Sequence, residues 1–177
     1  MEPWQVVLSV KTYEDYTVRQ VDLPVYNEIE YGSCISKCRE CEERGRTWAC
    51  PPNMDIDPQS LYDSCKYALL VRRTFCLDVK NDELVDATSA EMQRIVRMMV
   101  TDLRSNKVDC MGFADGGCRY CGVCACPEPC RFPDMLIRSI SSLGIDMKKY
   151  LSRFGIEFSF AEKCYTLYGL IFVRKSD

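Results

Sequence analysis

The sequence predicts a mixed α/β (α+β) fold: one domain over 1–177, with a small mixed sheet, packed helices and two cysteine-rich loops. Three observations carry this. Two runs rich in Val, Leu, Tyr and Phe, 66–79 (KYALLVRRTFCLDV) and 164–174 (CYTLYGLIFVR), read as largely buried strands. A third strand-like run, 107–114 (KVDCMGFA), follows a stretch at 88–105 in which Met92, Ile95, Val96, Met99, Val100 and Leu103 recur at helical spacing. The length, 177 residues, suits one domain that buries a sizeable core.

In chain order, residues 1–33 carry the β-like runs WQVVLSV and YTVRQVDLPVY, which add strands or pair with another subunit. Residues 34–60 read as a loop containing Cys, Gly and Pro. Thr88 and Glu91 form a T-x-x-E capping box, so the helix is expected to begin there. The β-α-β order over 66–114 favours a parallel pair joined by a right-handed crossover. A second cysteine loop at 115–133 follows, then short helices around 134–142 and 146–154 and the closing strand. The two cysteine loops, with cores at 34–52 and 118–133, are expected near one another at one end of the sheet.

The chain has no histidine. That excludes Cys/His and Ser/His/Asp nucleophile systems, HExxH proteases, Cys2His2 fingers and c-type haem attachment. A metal here must rest on thiolates, with or without carboxylates. The net charge of −3 gives no global attraction for nucleic acid or anionic membrane. No apolar run approaches the roughly 18 residues of a membrane span. The N-terminus, MEPWQVVLSVKTYEDY, lacks a basic stretch before a long apolar run, unlike a secretory signal. The expected compartment is cytoplasmic, where thiols favour metal over disulfide. The odd count of 13 cysteines agrees.

Four cysteines fall between 34 and 50 (Cys34, Cys38, Cys41, Cys50) and five between 118 and 130 (Cys118, Cys121, Cys124, Cys126, Cys130). Cys65, Cys76, Cys110 and Cys164 lie singly among apolar neighbours and read as small core residues. Cys118-x2-Cys121-x2-Cys124 is the triplet with which bacterial ferredoxins hold three corners of a [4Fe–4S] cubane. Gly116, Gly117, Gly122 and Ala125 let the loop curl closely round a cluster. Cys130 is the favoured fourth ligand and Cys126 the competitor, because Cys126 is too near Cys124 for both to reach different irons. Zinc is the alternative, although it more often uses two separated CxxC knuckles.

Cys34-x3-Cys38-x2-Cys41 matches the radical-SAM spacing. Those enzymes are commonly longer, and usually carry an aromatic where Glu40 stands here. Cys50 is at hand to close the set, so the reading is a second closed cluster on Cys34, Cys38, Cys41 and Cys50, with zinc again the alternative. Pro51 and Pro52 would stiffen this loop, and Trp48 is either a cluster cover or an ordinary core residue. Asp55 and Asp57 read as turn residues near Pro. Arg94 and Arg97 read as solvated; Arg39, Arg44, Arg46, Arg119 and Arg131 around the cysteines read as solvated or paired with Glu40, Glu42, Glu43 and Glu128, the alternative being that they offset cluster charge, raise its potential or bind an anionic partner.

GRTWACPP at 45–52, then GGCRYCGVCACPEPCRFPD and SLGIDM, resemble the uncharacterised family DUF2284 of predicted metal-binding proteins over roughly residues 30–150. The resemblance implies cysteine-based metal binding and no agreed reaction. It carries over to Cys41, Cys50, Pro51 and Pro52, with Cys38 or Cys34 as the earlier cysteine. It also covers Cys118, Cys121, Cys124, Cys130, Arg131 and Pro133, and then Gly144, Ile145 and Asp146. The chain departs from the pattern at Arg44, where an aromatic is expected, and in the extra Cys126. The function expected is electron transfer to a redox protein partner through two [4Fe–4S] clusters. The alternatives are an enzyme with an open cluster iron and a structural or regulatory zinc protein. Neither nucleic acid nor membrane is an expected partner.

Overall fold

Within the 66–79 run, burial is continuous from Ala68 to Val71, but its destination alternates. Leu69 and Val71 enter one core, Ala68 and Leu70 another. The closing run does the same, with Ile171 and Val173 on one side and Leu170 and Phe172 on the other. A strand buried on both faces must lie inside a sheet covered by helices on each side. The computed structural model has that three-layer arrangement, and it describes residues 2–78, 80–158, 160–161 and 163–175.

The elements are α1 (Pro3–Leu8), β1 (Thr17–Val21), α2 (Glu28–Lys37), α3 (Pro58–Ser64), β2 (Cys65–Cys76) and α4 (Asp82–Ser105). They continue with β3 (Cys110–Ala114), β4 (Arg138–Ser139), α5 (Met147–Ser152), β5 (Phe160–Ala161) and β6 (Cys164–Arg174). The sheet order is β1-β2-β6-β3-β4, with β5 also paired to β6. All pairings are antiparallel except β3 with β4. Residues of α1 and α4 share one core; those of α3 and α5 share the other. The mixed α/β expectation therefore holds. Among the described residues, no helix is long and apolar enough to cross a membrane.

Several local expectations need correction. WQVVLSV is not a strand but α1: Pro3 opens the helix, Gln5 Oε1 accepts the Glu2 N–H, and Trp4 and Leu8, four apart, face the core. YTVRQV does supply β1. Helix α4 begins at Asp82, where Asn81 Oδ1 accepts the Leu84 N–H, so the Thr88/Glu91 capping box is not used. Thr88 instead donates to the Val85 carbonyl and meets the Tyr165 hydroxyl. The expected β2–β3 parallel pair does not form. β6, apolar on both faces, takes the central place between them, antiparallel to each. The helix expected over 134–142 is broken into two 3-10 turns, Pro133–Met135 and Ile140–Leu143, around β4. There the Ser139 N–H is donated to the Ala49 carbonyl, 3.0 Å away, which ties this segment to the first cysteine loop.

Candidate metal centre

The first cysteine segment is more helical than a loop. Asn27 Oδ1 caps α2 through the Glu30 N–H, and a 3-10 turn, Cys38–Glu40, continues it. The x3 spacing thus puts Cys34 and Cys38 on one face of a helical segment, one turn apart. Cys41 follows in extended conformation, and the chain then turns through Gly45 to bring back Cys50. All four cysteines line one cavity of about 610 Å³. Cys34, Cys38 and Cys50 also feel a neighbouring cysteine's charge. Cys38 and Cys41 both raise the pKa of Cys50, and Cys38 raises that of Cys34. Burial is the largest cause for Cys50, whose thiol is pushed up to about 11. Thr47 Oγ1 is buried and makes no hydrogen bond of normal geometry. Its nearest use is the Cys50 thiol, whose pKa it lowers. A thiolate there would accept the stranded hydroxyl proton, so the site's chemistry fits a metal held by sulfur.

The second loop has neither helix nor strand from 115 to 132, and Pro133 opens the 3-10 turn that ends it. Cys118, Cys121, Cys124, Cys126 and Cys130 are all partly exposed. What shapes the loop is a polar stripe on α4. Gln93 Nε2 donates to the carbonyls of Asp115 and Gly117, each at 2.7 Å, and Gln93 Oε1 accepts the Arg119 N–H. Arg97 Nε donates to the Met135 carbonyl at 2.7 Å, and its Nη2 lies 4.0 Å from Cys118 Sγ. The Tyr120 ring covers the guanidinium, 4.8 Å from its centroid. Asp86 pairs with Arg119 at 2.5 Å, and Arg104 donates to the Cys110 and Asp134 carbonyls. The expectation that Arg97 is solvated is therefore wrong: it is 9% exposed. Residues 86, 93, 97 and 104 are spaced seven, four and seven apart, which places them on one helix face. That spacing was the signal available in the sequence.

The two loops touch, as expected. Trp48 Nε1 donates to the Glu128 carbonyl at 2.9 Å, so the indole joins the loops. Asn53 Nδ2 donates to Cys126 Sγ at 3.1 Å, and Cys126 Sγ in turn reaches the Gly45 carbonyl. The Glu43 carboxylate packs where a Cβ on Gly117 would stand, 2.9 Å from it. Cys126 therefore faces the first loop. Among the described residues, no three Cys, Asp or Glu side chains converge closely enough to hold one metal ion. Asp57 caps α3 by accepting the Ser60 N–H at 2.7 Å, and Asp55 pairs with Arg138 at 2.9 Å, so both carboxylates have structural work.

Of the four scattered cysteines, Cys65 and Cys110 are core residues, each 1% exposed. Cys76 and Cys164 are not. They stand opposite one another in the β2–β6 register and are joined as a disulfide, with Cys76 exposed at the end of the strand. The strand pattern places them there, beyond the helices that bury Leu69 and Ile171.

The protein is thus a three-layer α/β domain with two thiol-rich segments brought together at one end of its sheet. The chain belongs to the family DUF2284, described as predicted metal-binding proteins, whose signature matches residues 26–173. No curated protein and no solved structure matches it.

Proposed function

We propose that this is an iron–sulfur protein that carries a [4Fe–4S] cluster in each cysteine segment and passes single electrons to a redox protein partner. The observation that supports this best is the division of the thiols into two sets that touch, in a chain without histidine. Cys34, Cys38, Cys41 and Cys50 would hold one cluster, and Cys118, Cys121, Cys124 and Cys130 the other. Cys126 is engaged by Asn53, which leaves Cys130 to complete the second set. A zinc site draws four sulfurs round a single ion. A cubane spreads its thiolates over four irons, and so suits sulfurs that are neighbours without converging. Bound clusters supply one-electron carriage; the chain supplies thiolates, backbone amides and the Arg97 cation that set their potential.

The test is iron, acid-labile sulfide and zinc on anaerobically purified protein, with its visible spectrum. About eight iron and eight sulfide per chain, with a shoulder near ~400 nm, is the expected result. One or two zinc without sulfide or colour would replace this reading with a structural metal protein. One observation favours a second reading, catalysis at an open iron. The cavity beside the first set runs on from the thiols to Phe158, Thr166 and Tyr168, leaving space at the cluster for a substrate. About eight iron retained in a Cys50→Ser variant, with an added anion altering its spectrum, would support it, whereas about four would show the first cluster lost with its fourth thiolate.

A further inference from the structure

Cys76 and Cys164 belong to neither metal set. We propose that they form a two-electron redox site that exchanges with a dithiol, a function separate from metal binding and independent of which metal the loops hold.

The argument begins with register. Successive pairs along β2 and β6 are Cys76 with Cys164, Phe75 with Tyr165, and Thr74 with Thr166. Side chains alternate between the faces of a sheet, so the cysteine pair shares a face with the Thr74–Thr166 pair and not with Tyr165. The threonine hydroxyls meet at 2.8 Å, which fixes that face. It is the face of the first cysteine cavity, because Thr166 and Tyr168 line that cavity. Tyr165 points the other way, to Thr88 of α4. The cysteine pair therefore stands one step along the strand beyond the cavity wall, about 7 Å from Thr166 along the backbone.

Access is the second point. A bridge that only staples a fold gains from being covered. This one opens onto solvent: Cys76 is exposed, and both cysteines line a cleft with Lys80 and Lys163. Cationic side chains beside a sulfur favour its thiolate, the form that leaves and attacks in exchange. Asp78, in the same cleft, turns its carboxylate to the Lys80 backbone N–H, and so is engaged in the local turn. The fold does not need the bridge to bring β2 and β6 together, since ten other residue pairs already join these strands.

The reaction balances without a further reagent. One thiolate of the dithiol attacks Cys76 Sγ, the bond to Cys164 breaks, and Cys164 leaves as thiolate and takes a proton. The second thiol of the reductant then attacks the mixed disulfide, closes its own disulfide and releases Cys76 as a thiol. Two electrons and two protons pass from the dithiol to the pair, and the reverse sequence oxidises it.

The test uses the full-length, metal-loaded protein. It is equilibrated in graded ratios of reduced to oxidised glutathione, and separately with dithiothreitol. It is then quenched in acid, alkylated and mapped by peptide mass spectrometry. Cys76 and Cys164 should pass together between a cross-linked peptide pair and two alkylated thiols, in native protein, while Cys65 and Cys110 stay thiols throughout. In Cys164→Ser, Cys76 should accumulate as a glutathione adduct at least tenfold above the wild-type level, because no partner resolves it. A parallel arm compares reduced thioredoxin with dithiothreitol: a tenfold faster reduction by the protein assigns the dithiol to a protein, and equal rates to a small molecule. The proposal is overturned if both residues remain thiols at every ratio. It is equally overturned if they stay cross-linked in dithiothreitol until the protein is denatured, or if they carry glutathione independently of one another.

Discussion

Arg97 carries a permanent charge at 9% exposure, with only a carbonyl, an aromatic face and a distant thiol around it. No carboxylate pairs with it among the described residues. A buried cation without an anion is costly, and the natural anion here is a metal-bound Cys118 thiolate. This fixes opposite signs for one substitution. In metal-free protein, Arg97→Met should leave stability unchanged or raise it, read from the denaturant midpoint. In iron-loaded protein it should lower the midpoint potential of the second cluster, read by potentiometric titration, because the reduced cluster loses a favourable cation. Arg97→Lys should recover part of the potential. A loss of apo stability without any shift in potential would make Arg97 a purely structural residue. Cys50 gives a second test. Its folded pKa of about 11 lies above the ordinary 9.0, so the protonated fold is favoured. That contribution is complete below pH 9 and is lost as pH rises toward 11, roughly 2–3 kcal/mol in all. Chelator-treated protein should therefore weaken over that alkaline window, and Cys50→Ala should lack this share of the loss. Cys110, pushed up to about 12 by burial, adds to the loss over the same rise from pH 9 and carries it on toward 12. The ligand types were legible in the sequence, because cysteine spacing is local. The helix face that carries Arg97 was legible by spacing, but the unpaired burial of Arg97 and of Thr47 was not, because it depends on what a distant segment leaves beside them.

At the scale of elements, the SLGIDM segment acquires a physical reason. Gly144 has φ +68°, and a Cβ on it would stand 2.7 Å from the Tyr31 Cα. Tyr31 belongs to α2, three residues before Cys34, so this contact seats the helix that presents Cys34 and Cys38. Gly144→Ala should push α2 away from the 140–146 segment. The expected outcome is loss of metal from the first cysteine set, with the second retained, measured as metal per chain in Gly144→Ala against wild type. Equal loss from both sets would show that the loops load as a unit, through the Trp48 and Asn53 contacts. Helix α4 approaches the sheet over another glycine: a Cβ on Gly169 would collide with the Val96 side chain. Gly169→Ala should cost about 1–3 kcal/mol, read from chemical denaturation, as overpacking does. The periodic part of α4 and both long strands were legible because apolar spacing dictates them. The start of α4 was not, since Asn81 caps it ahead of the periodic stretch. The direction of β3's pairing was also hidden, because the last strand enters the sheet between two earlier ones.

On the scale of the whole molecule, the first cysteine set and the Cys76–Cys164 pair bring two kinds of electron chemistry to one face of the sheet. The proposed clusters move electrons singly, whereas the Cys76–Cys164 bridge takes two. The bridge lies one strand step from the cavity that holds Cys34, Cys38, Cys41 and Cys50. Two clusters could each deliver one electron, so cluster reduction and disulfide reduction become linked without any external thiol. The linkage has a clean readout. Anaerobic, iron-loaded protein with an oxidised pair would receive two electrons per chain from a photoreduced flavin, and two alkylatable thiols should appear as the cluster absorption recovers. A Cys38→Ser variant, in which the first set is broken, should bleach its remaining cluster while Cys76 and Cys164 stay joined. If the pair is reduced as fast in that variant as in the wild type, electrons do not pass through the first set. The bridge then answers to external dithiols alone, and the two redox chemistries on this face are neighbours rather than partners.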